Sequence, residues 1–229
     1  MKKIYPLAFI VCILFLVFYV IFAYTGIIFK AETLEEPIGS ISGWCERVSS
    51  GIFREPMNAF SNIAFMLSGL FIFKTLNSDK SNNENKFYGF NKISVLYGSA
   101  VIFLGPGSML MHGTHTEWGG WADNLSMIMF IIFPWLYNLK EMGRWSENRF
   151  IYSYFFIVIA YALARWFFGG RLGIGLDLFG LSIGLWIISE YLFRFWSPKA
   201  RWISGFVGFF VAFIFGITPV EIFSDLGSY

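Results

Sequence analysis

Both histidines of the chain, His112 and His115, fall in one stretch, GPGSMLMHGTHTEWGGWADN (105–124), which also carries Ser108, Glu117 and Asp123. A neutral imidazole binds zinc, and zinc lowers the pKa of its bound water towards neutrality. A neighbouring carboxylate can take that water's proton, and a serine hydroxyl can donate to a developing oxyanion. These residue types are the parts of metal-assisted hydrolysis. Their spacing favours a meeting. On a helix Ser108 and His112 stand at i and i+4 and share a face, and Asp123, opening the next helix after a short hairpin, is brought back beside them. The same residues also fit a plainer arrangement, with both imidazoles at a membrane interface, hydrogen-bonded to Asp123 or Glu117. Spacing alone does not choose between the two. A Ser-His-Asp nucleophilic triad fits less well, because Ser108 lies mid-helix without the strained elbow that exposes a nucleophile.

A second polar group precedes the first, in the loop GWCERVSSGIFREPMNAFSN (43–62). Pro56 suits the first position of a helix, which places Asn58, Ser61 and Asn62 on its opening turns and leaves Glu46 and Glu55 on the loop. Loop carboxylates and carbonyls can hold a hard cation such as calcium. Arg47 and Arg54 beside them offer ordinary surface ion pairs, the simpler reading of these residues taken by themselves.

The elements that must position these groups are membrane helices. Of 229 residues, 56% are hydrophobic, 21% aromatic and only 14% charged, with a mean hydropathy of +0.60; a soluble domain carries about 25% charged residues. So few polar side chains cannot cover a surface that faces water all round, which excludes soluble α/β enzymes, disordered regulators and disulfide-stapled secreted domains. A net charge of +2 gives no reason to expect nucleic acid as a partner. Cys12 lies inside an apolar run and Cys45 in a loop, a poor basis for a structural disulfide.

A membrane-spanning helix takes about 20 mostly apolar residues. Seven runs qualify: 5–29, 57–76, 93–112, 122–139, 150–168, 174–195 and 202–218. They predict an all-α integral membrane protein, a seven-transmembrane helix bundle forming one multi-pass domain over residues 1–229. The first run follows Lys2 and Lys3 as a signal peptide would, but it is too long for one and ends at Lys30 without a small-x-small cleavage pattern, so a retained anchor helix is expected. Pro134 inside the fourth run predicts a kink. Arg165, Arg171, Asp177 and Glu190 sit near helix ends, where snorkelling is the simplest expectation and an Arg165 or Arg171 pair with Asp177 the alternative. Trp44, Trp118, Trp121 and Trp166 suit an outer interfacial belt. With the N-terminus in the cytoplasm, twelve of the seventeen Lys and Arg residues fall on the inner side and five on the outer. The positive-inside bias thus predicts a cytoplasmic N-terminus and a polar cluster at the outer end of the bundle.

Three pieces, in order, resemble the alkaline ceramidase family, most closely its bacterial members. They are Trp44-Cys45-Glu46 followed by Glu55-Pro56-x-Asn58-x-x-Ser61-Asn62; Gly107-Ser108-x-x-x-His112; and Ala122-Asp123, with Asp123 eleven residues after that histidine. The family belongs to a wider group of seven-helix membrane hydrolases that includes the progestin/adipoQ-type receptors. The likeness is good over about residues 43–140 and implies residence in a bacterial inner membrane. It also implies zinc-dependent cleavage of the amide of ceramide-like lipids, giving sphingoid base and fatty acid. By the same resemblance His112 is a zinc ligand, Asp123 the proton acceptor and Ser108 the oxyanion stabiliser. Trp44 through its carbonyl, Glu46 and Glu55 belong to a calcium site, although Gly43 and Val48 stand where eukaryotic members have aspartate and asparagine.

The family's last helix carries H-x-x-x-H, two further zinc ligands, and this sequence has no histidine after His115. Residues 202–226 match the family's penultimate helix, so the N-terminal helix within 1–30 restores the count of seven beside the ceramidase-like bundle of 43–229. A catalytic zinc takes three protein ligands and a water. Three readings stay open: a truncated member, a different site completed by His115, Glu117 or Asp123, or loss of the metal. The functional expectation is a zinc-dependent amide hydrolase whose partners are a lipid substrate and the bilayer. A non-catalytic lipid-binding or receptor-like protein on the same scaffold is the alternative. A transporter is weaker, for want of paired broken helices or an intramembrane carboxylate relay.

Overall fold

A computed structural model of the protein describes residues 4–30, 37–78, 89–168 and 178–194. Those residues form seven helices: α1 Ile4–Tyr24, α2 Pro56–Ser61, α3 Ile63–Ser78, α4 Lys92–Thr114, α5 Glu117–Gly143, α6 Glu147–Phe168 and α7 Leu178–Arg194. Among the described residues there is no β-strand, only an isolated antiparallel bridge between Ile41 and Arg47. The seventh apolar run, Arg171 and Asp177 lie outside the described residues. Among the described residues four helical stretches are long and apolar enough to cross a bilayer: 4–24, 56–78, 92–114 and 147–168. The chain is therefore an all-helical membrane protein by composition and helix length, with four such stretches where the sequence predicts seven spans. Helix α5 has the length, at 27 residues, but Glu117, Asp123, Asn124, Asn138, Lys140 and Glu141 make it polar; α7 has 17 described residues.

The chain divides into two compact units, residues 1–127 and 128–229, with the division inside α5. In the first, α1 leaves large apolar side chains such as Leu7, Phe9, Val11 and Phe18 exposed, while one stripe of Cys12, Tyr19 and Ala23 is buried. That stripe packs into a core with Phe53, Ala59, Met66, Leu70 and Met109. The exposed face suits lipid, which is as apolar as leucine, so helix association has to come from close packing. Small residues supply it. A Cβ on Gly105 of α4 would meet Met66 Cγ at 2.5 Å and the Asn62 carbonyl oxygen at 2.8 Å, and one on Gly107 would meet Ser126 Cβ at 2.5 Å and the Ala122 carbonyl oxygen at 2.8 Å. Glycine at those two positions lets α3 and α5 come against α4.

The ends of α4 are defined by their caps. At its start the Asn91 side chain accepts from the amides of Ile93 (2.9 Å) and Ser94 (2.8 Å), and Ser94 Oγ accepts from Asn91 N at 3.0 Å. This reciprocal pair satisfies donors that a helix N-terminus leaves open. At its end His115 takes the left-handed conformation, φ 51° and ψ 38°, a position usually given to glycine. Helix α5 begins two residues later, where Thr116 Oγ1 accepts from Gly119 N at 3.1 Å. It starts at Glu117, five residues before the predicted 122, because a threonine cap and an acidic first residue begin a helix that the apolar window does not register.

The second unit holds the rest of α5 together with α6 and α7. Phe133, Tyr137, Phe150 and Tyr154 pack as an aromatic cluster with ring centroids 5.5–6.4 Å apart. Tyr154 Oη donates to the Met129 carbonyl at 2.7 Å. Asn138 Nδ2 reaches from α5 to Ser189 Oγ (3.2 Å) and Glu190 Oε2 (3.0 Å) on α7, so Glu190 has a specific partner where the sequence suggests only snorkelling.

Candidate active site

The loop before α2 folds back on itself. Gly39 N donates to Val48 O (2.8 Å), Val48 N to Ser40 O (2.9 Å) and Ser42 N to Glu46 O (2.8 Å). This tight turn brings Glu46 over the start of α2, where its two carboxylate oxygens accept from the amides of Met57 (2.8 Å) and Asn58 (2.9 Å). An anionic cap is favourable there, since the first amides of a helix are unpaired and carry the positive end of its dipole. Glu55, the residue in the N-cap position, makes no side-chain cap bond. Glu46 has taken that task, and the Glu55 carboxylate is released to point elsewhere.

It points at the histidines. The amides of Arg54 and Glu55 donate to the carbonyls of Gly113 and His112, both at 2.9 Å. The loop thus satisfies two carbonyls that the end of α4 would leave open and sets Glu55 beside the last turn. There Glu55 Oε2 accepts from Asn58 Nδ2 at 3.0 Å and contacts His112 Nδ1 at 2.5 Å, while Oε1 lies 3.1 Å from His115 Nε2. The Oε1 contact is an ion-pair approach, because that oxygen accepts no well-directed hydrogen bond among the described residues. The Glu55 side chain is 0% exposed and those of His112 and His115 are 14% and 12% exposed. Burial pushes the Glu55 carboxyl up, but hydrogen bonds from Ser42, Asn58 and His112 and the charge of His112 more than offset it, so Glu55 is held below its ordinary value.

The other side of His112 faces α5. Ser108 hydrogen-bonds the Asp123 carboxylate, and His112 is close enough to act on its charge. Asp123 is buried, 9% exposed. Ser108, His112 and Asp123 thus meet, as the i, i+4 spacing and the short hairpin predict, although Asp123 sits in the second turn of α5 and does not open the helix. Glu117, offered by the sequence as a partner for the histidines, is exposed; Glu55 holds that place. Trp44 stands edge-on to His112, ring centroids 5.6 Å apart, and its carbonyl accepts from Asn58 Nδ2 at 3.4 Å.

Two contributors escape a reading of the sequence. Ser42 is buried at the turn, where its hydroxyl accepts from Trp44 N at 3.2 Å. Tyr19, from α1, donates to Ile52 O at 3.0 Å and stacks on Phe53 at 4.7 Å, clamping the loop that carries Glu55. No local signal marks either one. The Glu55-Pro56 step was the available clue, because proline at the first helical position identifies Glu55 as the N-cap residue.

The donors present fit one ligand of a zinc site. An imidazole whose Nδ1 is held by a carboxylate presents Nε2 outward, the usual condition of a metal-bound histidine. The described residues do not complete the set: no group of three or more His, Cys, Asp or Glu side chains among them is arranged to hold a metal ion.

Comparison with protein-family models matches Ceramidase over residues 36–171, more than half of the chain. The chain belongs to the ceramidase family. No curated protein and no solved structure matches it. The match encloses every residue from Trp44 to Asp123 and starts after α1, so Tyr19 packs on the loop from outside the matched segment. Membership supports, at a general level, hydrolysis of amide bonds and a place in sphingolipid metabolism.

Proposed function

We propose that this protein is a membrane-embedded, zinc-dependent hydrolase that cleaves the amide bond of ceramide-like lipids to a sphingoid base and a fatty acid. The observation that carries the reading is the meeting of Ser108, His112 and Asp123 where α4 turns into α5, inside the segment matched to the ceramidases. Asp123, buried and hydrogen-bonded to Ser108, is placed to accept a proton from an attacking water. Ser108 is placed to donate to the oxygen of the amide carbonyl as charge develops on it. His112 would hold zinc through Nε2. When bound, zinc supplies Lewis acidity and a water of lowered pKa.

The same proposal puts calcium at the Trp44 carbonyl, Glu46 and Glu55, whose carboxylate oxygens have lone pairs beyond the hydrogen bonds they already accept. It places the protein in a bacterial inner membrane with a cytoplasmic N-terminus and the site on the outer side. Cys45 is exposed on the site loop and Cys12 is buried in α1, so a membrane-impermeant thiol reagent added to intact cells should label Cys45. Labelling only after lysis reverses the orientation.

The deciding experiment uses the full chain in lipid vesicles with a ceramide, measuring fatty-acid release with and without a zinc chelator, and the metal content of the purified protein. Release that stops with chelator and in Asp123→Asn supports the proposal. Chelator-insensitive release removes zinc from it. A metal-free protein that binds ceramide without cleaving it establishes the second reading, a lipid-binding or receptor-like member. One observation favours that reading: the chain has two histidines, and both lie against Glu55.

A further inference from the structure

We propose that Tyr19 of α1 is a positioning residue for the site: its hydroxyl and ring hold the segment 52–54, and through that segment the end of α4. The N-terminal helix is then a working part of the site and not a membrane anchor alone. The inference rests on the hydrolase reading for its catalytic meaning. An anchor needs only an apolar surface, and most of α1 is one, with Leu7, Phe9 and Phe18 exposed. Tyr19 breaks that pattern. It is 2% exposed, and a buried hydroxyl in apolar surroundings is costly unless it is hydrogen-bonded. Its Oη donates to the Ile52 carbonyl at 3.0 Å, and its ring stacks on Phe53 with 9° between the planes. Phe53 packs in turn on Phe60 of α2, ring centroids 4.7 Å apart. A second contact comes from just beyond α1, where the Phe29 ring lies 4.3 Å from the guanidinium carbon of Arg54, a residue 8% exposed. Three consecutive loop residues are thus held from residues 19–29, by a backbone carbonyl, a ring and a charge.

The held segment joins both parts of the site. The Arg54 carbonyl accepts from Ser49 N at 2.7 Å, which ties it to the turn carrying Trp44 and Glu46, and Arg54 N donates to the Gly113 carbonyl at 2.9 Å. Tyr19 reaches Gly113 as well. A Cβ there would stand 2.8 Å from Tyr19 Cζ, so glycine lets α1 come against the last turn of α4. A shift of about 1 Å at reacting groups can cost about 100-fold in rate, so a hydrogen bond made away from the chemistry can govern it.

The test compares two tyrosines that make the same bond in different places. Tyr154 Oη donates to the Met129 carbonyl at 2.7 Å, away from the site, so Tyr154→Phe is the matched control for Tyr19→Phe. Each variant of the full chain is placed in lipid vesicles with a ceramide, and kcat and KM for fatty-acid release are measured. A nitroxide on Cys45, exposed on the site loop while Cys12 is buried, reports loop mobility by electron paramagnetic resonance. Tyr19→Phe should lower kcat by roughly 10-fold with KM near that of wild type, and should loosen the Cys45 label. Tyr19→Leu, which loses the stack as well, should do both more strongly. Tyr154→Phe should leave kcat and the Cys45 spectrum as in wild type, even where its thermal midpoint falls as far as that of Tyr19→Phe. If Tyr19→Phe does not fold, Phe29→Leu, which removes the ring beside Arg54, carries the same test. A folded Tyr19→Phe with wild-type kcat and an unchanged Cys45 spectrum overturns the proposal, and so do equal changes in Tyr154→Phe. If wild type releases no fatty acid, the hydrolase reading fails, and a Cys45 label loosened in Tyr19→Phe but not in Tyr154→Phe still supports the positioning role.

Discussion

Residues 1–127 and 128–229 both bury polar side chains, but only the first gathers histidines, carboxylates and a serine about one turn. In the second unit Asn138, 5% exposed, ties α5 to Ser189 and Glu190 of α7, while Trp135 Nε1 and Ser182 Oγ are buried without a hydrogen-bond partner among the described residues. In the first unit Glu55, His112, His115, Ser108 and Asp123 are gathered about the α4–α5 turn. His112 has its Nδ1 against Glu55, and Asp123 is buried and hydrogen-bonded to Ser108. Polar groups inside a membrane protein are costly, so a cluster of several with different chemistry marks the site better than a single buried amide does.

The largest effect expected from this contrast is on catalysis. Asp123→Asn and His112→Ala should each lower fatty-acid release by about 100-fold or more, whereas Asn138→Ala should leave it within about threefold; equal losses in all three would erase the distinction between the units. Next is Gly107→Val, whose side chain has no room between α4 and the Ser126 turn of α5. Overpacking of this kind costs roughly 1–3 kcal/mol, read as a lower thermal midpoint in detergent together with lost activity. Asn138→Ala should destabilise by a similar amount, about 1–3 kcal/mol, because Glu190 loses a donor, and should do so without changing zinc content. Glu46→Ala removes the cap on α2 and should cost about 1 kcal/mol. If calcium sits here, the same variant also abolishes a calcium-induced thermal shift seen in wild type.

The smallest effect is pH-dependent. The Glu55 carboxyl is lowered in the fold, so its contribution to stability is present in full above the ordinary carboxylate value and is lost as pH falls through the lowered one. Thermal midpoints measured downward from neutral pH should fall more steeply for wild type than for Glu55→Gln. Parallel curves would show that Glu55 is not charged in the folded protein.

Much of the site was legible from local spacing. Ser108 and His112 at i and i+4 share a helix face whatever surrounds them, and a short hairpin returns Asp123 to that face. Helix boundaries were less legible where caps set them, as at Thr116, because hydropathy averages over a window and a cap is one hydrogen bond. The association of Glu55 with the histidines could not be read at all. It depends on backbone bonds from Arg54 and Glu55 to the end of α4, between residues 57 or more apart in sequence, and on Glu46 relieving Glu55 of capping.

Composition together with apolar runs of about 20 residues made this a helical membrane protein, since so few charges cannot cover a surface facing water and a continuous apolar run of that length spans a bilayer as a helix. Ordered motifs alone pointed to the ceramidases, since the residues concerned lie close along the chain and keep their spacing. What only the folded structure decided is the partner of each polar group: that Glu55 serves His112 and His115, that Glu46 caps α2, and that Tyr19 of an unmatched helix clamps the loop between them. Hydrogen bonds of a few ångströms between distant segments depend on how helices dock, and that is set by small-residue contacts at Gly105 and Gly107 that no local pattern reveals.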